Sequence, residues 1–113
     1  MLPKPYKLTK QDFEIIEKEG KIVQFDSFGA CFIERNDDEP SRFGFIVSNK
    51  ICKDAVDRNR IKRALREAIR QSRWQTKKGA SVLFLTKTVI AKKSTEEIMR
   101  EARTAIERLG LLQ

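Results

Sequence analysis

The hydrophobic rhythm of the chain changes several times, and each change predicts an element. Between Thr9 and Gly20 the apolar residues Phe13, Ile15 and Ile16 stand on a polar background, the narrow stripe of a surface helix. Thr9 suits the N-cap with Asp12 three residues on, and Gly20 suits a C′ stop. Residues 28–34, FGACFIE, alternate instead. Phe28, Ala30 and Phe32 fall on one face and Cys31 and Ile33 on the other, which predicts a strand. Residues 36–41, NDDEPS, read as a turn-rich acidic loop. Residues 43–48, FGFIVS, read as the next strand, with Phe43, Phe45 and Val47 alternating against Gly44, Ile46 and Ser48. These two strands are expected to pair as an antiparallel hairpin.

Helical spacing returns over about 54–72, with Asp54 as N-cap and Asp57 in the first turn at the positive end of the helix dipole. Lys77-Lys78-Gly79 breaks it. Residues 81–87, SVLFLTK, are almost continuously apolar, as in a central strand buried on both faces. The last helix spans about 94–108. Ser94 or Thr95 caps it, Glu96 and Glu97 occupy its first turn, and Ile98, Ala102, Ala105, Ile106 and Leu109 form its stripe. The order is α-β-β-α-β-α, a single sheet with helices packed on it. That is an α+β fold in one domain, residues 1–113.

Charge changes this picture from a fold into a surface. The net charge is +8, and its excess is local: residues 42–78 hold twelve Lys and Arg against three Asp and Glu. A near-neutral body with one basic segment predicts a docking surface for a polyanion. A basic membrane-surface helix would instead need large apolar residues opposite its cations and no folded body around it. No run of about 18 apolar residues is present, and MLPKPYKLTK lacks a signal-peptide core, so a cytoplasmic protein without membrane contact is expected. Cys31 and Cys52 lack zinc-ligand spacing, and with no histidine in the chain neither Ser-His nor Cys-His catalysis is available. No catalytic residue and no metal site is expected. Asp37, Asp38 and Glu39 read as a solvated loop tip.

The basic segment centres on AVDRNRIKRALREAIR, residues 55–70. At helical spacing Ile61, Ala64, Leu65, Ala68 and Ile69 share one face, while Asn59, Lys62, Arg63, Arg66, Arg70 and Arg73 fall opposite, with Arg58 and Arg60 flanking. Only Glu67 breaks the run. Such cations repel one another until an anion arrives, and arginine forks suit phosphate oxygens. Charge alone does not choose between RNA and DNA. No helix-turn-helix spacing precedes the basic helix. Trp74, just beyond it, suits either a core cap or a base-stacking role.

Arg58-Asn59-Arg60-Ile61-Lys62-Arg63, followed by Leu65-Arg66-Glu67, resembles the RNR signature of the bacterial ribonuclease P protein family. Lys7-Leu8, Asp12-Phe13 and Gly20-Lys21 resemble the family's N-terminal pattern, and Phe43 to Lys50 resembles the strand before its RNR helix. The spacing holds over about residues 6–109. The resemblance implies a mainly antiparallel four-stranded sheet packed with three helices, a left-handed β-α-β crossover through the RNR helix, and a fourth strand near Ile22–Gln24. It implies an RNA-binding subunit of an endoribonuclease whose catalytic centre and Mg²⁺ belong to an RNA subunit, and which removes the 5′ leader of precursor tRNA. Arg58, Asn59, Arg60, Lys62, Arg63, Arg66, Arg70 and Lys50 would then meet the catalytic RNA.

A cleft between the first helix and the sheet would bind the single-stranded leader, with Phe13, Phe28, Phe32 and Cys31 as its expected residues. The chain departs from the pattern with Asn49 at a usual lysine, Cys52 at a usual glycine, and Glu17 and Cys31 at positions that are often aromatic. Phe13 also fits an ordinary core position. Two rivals remain: a structural, ribosomal-type RNA-binding protein of similar fold, and a metal-dependent nuclease, which would need two or three convergent carboxylates.

Overall fold

A computed structural model describes residues 6–72 and 75–111. Its elements are α1 (Lys10–Glu19), β1 (Lys21–Gln24), β2 (Phe28–Glu34), β3 (Arg42–Ile46), α2 (Ala55–Ser72), β4 (Ala80–Thr86), a 3-10 turn (Thr88–Lys92) and α3 (Thr95–Arg108). Arg73 and Trp74 lie outside the described residues.

The predicted caps form. The Thr9 hydroxyl accepts from the Asp12 N–H while the Asp12 carboxylate accepts from the Thr9 N–H, and Ser94 and Glu97 repeat that exchange at α3. The Asp54 carboxylate accepts from the Val56 N–H at 2.9 Å where α2 begins. Gly20 ends α1 for a reason other than the one expected. Its φ is −67°, outside the left-handed region, and a Cβ there would stand 2.5 Å from the Ile16 carbonyl. Close approach, not backbone handedness, favours glycine.

The expected hairpin between 28–34 and 43–48 does not form. The sheet order is β1-β2-β4-β3, with β1–β2 and β2–β4 antiparallel and β3–β4 parallel. Residues 80–86 insert between the two strands that are nearest in sequence. Burial explains the choice: Val82 and Phe84 on one face of β4, and Ser81 and Leu83 on the other, are all buried. The strand that is apolar on both faces takes the centre, and β3 takes an edge. The antiparallel hairpin is instead β1–β2. All four β1 residues are exposed, so β1 has no periodicity to read; the family resemblance alone anticipated it.

The two faces of the sheet differ. Phe28, Ala30, Phe43, Val82 and Phe84 meet Ile61, Leu65 and Ile69 of α2 and Ile98 and Ile106 of α3 in the main core. Phe28 and Phe84 pack edge to face at 4.9 Å between ring centroids. The opposite face carries a smaller cluster of Leu8, Ile16 and Leu83, with Cys31, Ile33 and Leu85 partly buried around it. Leu8 seats on Gly44, where a Cβ would come within 2.8 Å of its Cδ1. The Arg42 guanidinium, with Nε 2.9 Å from Asp12 Oδ2, ties α1 to β3.

Candidate RNA interface

The periodicity of α2 sorts its polar residues into a crest and two flanks. Ile61, Ala64, Leu65, Ala68, Ile69 and Ser72 are buried. Asn59, Arg63 and Arg70 stand exposed on the crest. On the β3 flank, Arg66 joins Phe13, Lys7, Leu8, Gly44 and Phe45 around a cavity of about 250 Å³. The other flank faces the 3-10 turn and α3: Arg60 donates to carbonyls of residues 91 and 93, and Arg103 approaches Gln71 at 3.5 Å.

The cations expected to meet RNA are not equivalent. The side chains of Asn59, Lys62, Arg63 and Arg66 have no hydrogen-bond or ion-pair partner among the described residues. Arg70 is paired: its Nε donates to Glu67 at 3.0 Å, and the guanidinium holds the Glu67 carboxyl below the usual carboxylate range. Arg58 donates from Nη1 to the Cys52 and Lys53 carbonyls, both at 2.8 Å, fastening the loop before the helix. Lys50 is exposed in that loop. The turn at Cys52 needs no left-handed residue. The Ser48 carbonyl accepts from the Ile51 and Cys52 N–H groups, and among the described non-glycine residues only Asn36 has a positive φ.

The leader cleft expected from the family resemblance maps onto the face with the smaller cluster. Asp12, Ile15 and Glu19 on one flank of α1 look toward Ile33, Glu34 and Arg42. On its other flank Phe13 lines the cavity with Leu8 and Gly44, and Glu17 stands exposed one turn further along. The strand register puts Ile22, Cys31, Leu83 and Gly44 in one row, and Gln24, Gly29, Leu85 and Ile46 in the next. Ile22 is 52% exposed, Ile46 45% and Phe13 37%. Burial raises the Cys31 thiol above its ordinary pKa.

Two expected cleft residues lie elsewhere. Phe28 is fully buried in the main core, and Phe32 packs against that same core. Side chains alternate across a strand, so neither shares a face with Cys31. The aliphatic rim of Ile22 and Ile46 escaped the sequence pattern. Its only signal would have been the register of strands whose pairing was unknown.

The acidic loop is occupied by its own arginines. Arg35 bonds both Asp37 oxygens, at 3.0 and 3.2 Å, and lowers that carboxyl's pKa; Arg42 bonds Glu39 at 2.9 Å. Among the described residues no group of three or more Cys, Asp or Glu converges as metal ligands, and no helix is long and apolar enough to cross a membrane.

Residues 2–110 match the family model described as Ribonuclease P. A ribonuclease P protein component from Synechocystis sp. is 30% identical over 112 residues, covering 98% of this chain and 90% of its own length. Among solved structures, an RNase P protein from Thermotoga maritima superposes with a TM-score of 0.77 at 26% identity, covering 90% of this chain and 96% of that one. The fold is also that of an RNase P protein from Staphylococcus aureus, with a TM-score of 0.84 at 23% identity over 96% of this chain and 98% of the other.

Proposed function

The chain belongs to the ribonuclease P protein family, and from that premise we propose that it docks through α2 on a catalytic RNA and assists removal of the 5′ leader from precursor tRNA. One observation carries the docking: Lys62, Arg63 and Arg66 lie on a rigid helix with no carboxylate partner among the described residues. Phosphates supply the missing counter-charge, and release of RNA-bound cations supplies the driving force. Hydrolysis belongs to the RNA, with Mg²⁺ held by that RNA and the substrate. The protein contributes position and charge. A precursor tRNA would lay its single-stranded leader along the cleft beside Phe13, whose exposed ring can stack on a base. The compartment of this work is the cytoplasm.

The test is reconstitution with the cognate catalytic RNA. The protein alone is expected to leave precursor tRNA uncut. RNA alone is expected to cut slowly and only at high Mg²⁺, and added protein to lower the Mg²⁺ required. Cleavage by RNA-free protein, or an unchanged Mg²⁺ requirement, would reject the proposal.

A further inference from the structure

One cation of the α2 helix is fully engaged before any RNA arrives. Arg60 sends Nη1 to the Lys93 carbonyl at 2.9 Å and Nη2 to the Ala91 carbonyl at 3.3 Å, and its Nε lies 3.6 Å from Asp57 Oδ1. These carbonyls close the 3-10 turn Thr88–Lys92, where backbone acceptors lack intrahelical donors. A guanidinium holds its donors in one fixed plane. With all three nitrogens so directed, Arg60 is poorly placed to fork a phosphate.

The segment it grips carries Lys92, which is exposed and has no partner among the described residues. Neighbouring Lys87 and Lys93 are both spent on the β1–β2 turn, Lys87 donating to the Phe25 carbonyl and Lys93 to Asp26, each at 2.7 Å. Among the described residues Lys92 is therefore the cation of this connection without a partner, and its backbone lies between the two carbonyls that Arg60 grips.

We infer that the RNA-binding surface extends off α2 onto the β4–α3 connection through Lys92, and that Arg60 is the positioning residue that holds it there. Arg60 then acts on RNA through the backbone of residues 91–93. The inference rests on the proposed docking through α2.

A double-mutant cycle on the salt dependence of binding to the catalytic RNA separates the possibilities. Arg60→Ala and Lys92→Ala are each expected to flatten the log Kd against log salt slope by about 0.7–0.9, the loss of one phosphate contact. The double variant is expected to lose one contact, not two. Arg60→Lys keeps a charge but not the two-carbonyl grip, and is expected to bind like Arg60→Ala. In the free protein, Arg60→Ala and Arg60→Lys are both expected to speed amide hydrogen exchange at Lys93 and Ser94. The inference is overturned if the double variant loses two contacts, if Lys92→Ala binds like the wild type, or if Arg60→Lys does. Arg63→Ala is the control: if its slope too matches the wild type, the docking through α2 has failed, separately from the role of Arg60.

Discussion

The two faces of the sheet are built from the same strands with the same alternation, yet they differ in what covers them. Under α2 and α3, Phe28, Phe43, Phe84 and Val82 lose all contact with solvent. Under α1, Ile22 and Ile46 remain about half exposed and Phe13 stands open at the rim. Two helices seal a face, whereas one ten-residue helix crossing one end of it leaves a groove. Stability is concentrated on the first face, and the surface available to a ligand lies on the second. An aromatic residue's face, not its identity, decides which it serves.

The largest expected effect tests the sealed face. Phe28→Ala should cost about 3–5 kcal/mol in denaturant unfolding, as for a fully buried phenylalanine that leaves a cavity. Any folded remainder should bind precursor and mature tRNA, as the reconstituted particle, in the wild-type ratio. A collapsed ratio with unaltered stability would mean that Phe28 faces the cleft.

Phe13→Ala tests the open face and should show the reverse. The precursor-to-mature affinity ratio should fall by the equivalent of about 1–3 kcal/mol, the worth of one stacked base. The stability loss should stay below about 1.5 kcal/mol, because much of the ring is already in water. A large loss of stability with an unmoved ratio would make Phe13 a core residue. Glu17→Phe lies on the same flank and removes a negative charge while adding a ring. It should raise the ratio at fixed salt and Mg²⁺, by no more than one stacking contact. If neither variant moves the ratio, the leader does not run along this groove.

The smallest effect concerns four surface carboxylates, three in ion pairs and one in a helix cap. Lys93 lowers the pKa of Asp26, Arg35 that of Asp37, Arg70 that of Glu67, and the Ser94 backbone N–H that of Glu97. Each carboxylate is favoured in the folded state. Its contribution is therefore present above the ordinary carboxylate range, near pH ~4, and is lost as pH falls through the lowered folded value. Asp26, Asp37 and Glu97 are exposed and Glu67 is partly so, so the effect should be slight, and the ion-pair part of it should shrink with added salt. Melting curves between neutral pH and pH ~3, at low and high salt, measure it. A steep, salt-insensitive loss would point to a buried titrating group instead.

Local chemistry made several features legible in the chain. The capping boxes at Thr9 and Ser94 need only residues three apart, and the buried stripe of α2 needs only a 3.6-residue period. The burial of β4 on both faces follows from an unbroken apolar run. Membership of the ribonuclease P protein family follows from Arg58 to Arg63 read together with the matching residues on both sides.

Tertiary structure decided everything that joins distant segments. Strand pairing is nonlocal, so the periodicity between Phe28 and Ser48 did not announce that residues 80–86 would enter between β2 and β3; only the family resemblance implied a crossover through the basic helix. That insertion set which residues line the groove. Ile22, Cys31 and Ile46 share that face because the register aligns rows from four strands, while Phe28 and Phe32 turn away by strand parity. The distinction among the helix cations is equally nonlocal. Arg60 and Arg63 look alike in sequence. One grips carbonyls more than thirty residues away and the other has no side-chain partner among the described residues, because only the packed fold brings the end of the 3-10 turn within reach of a guanidinium.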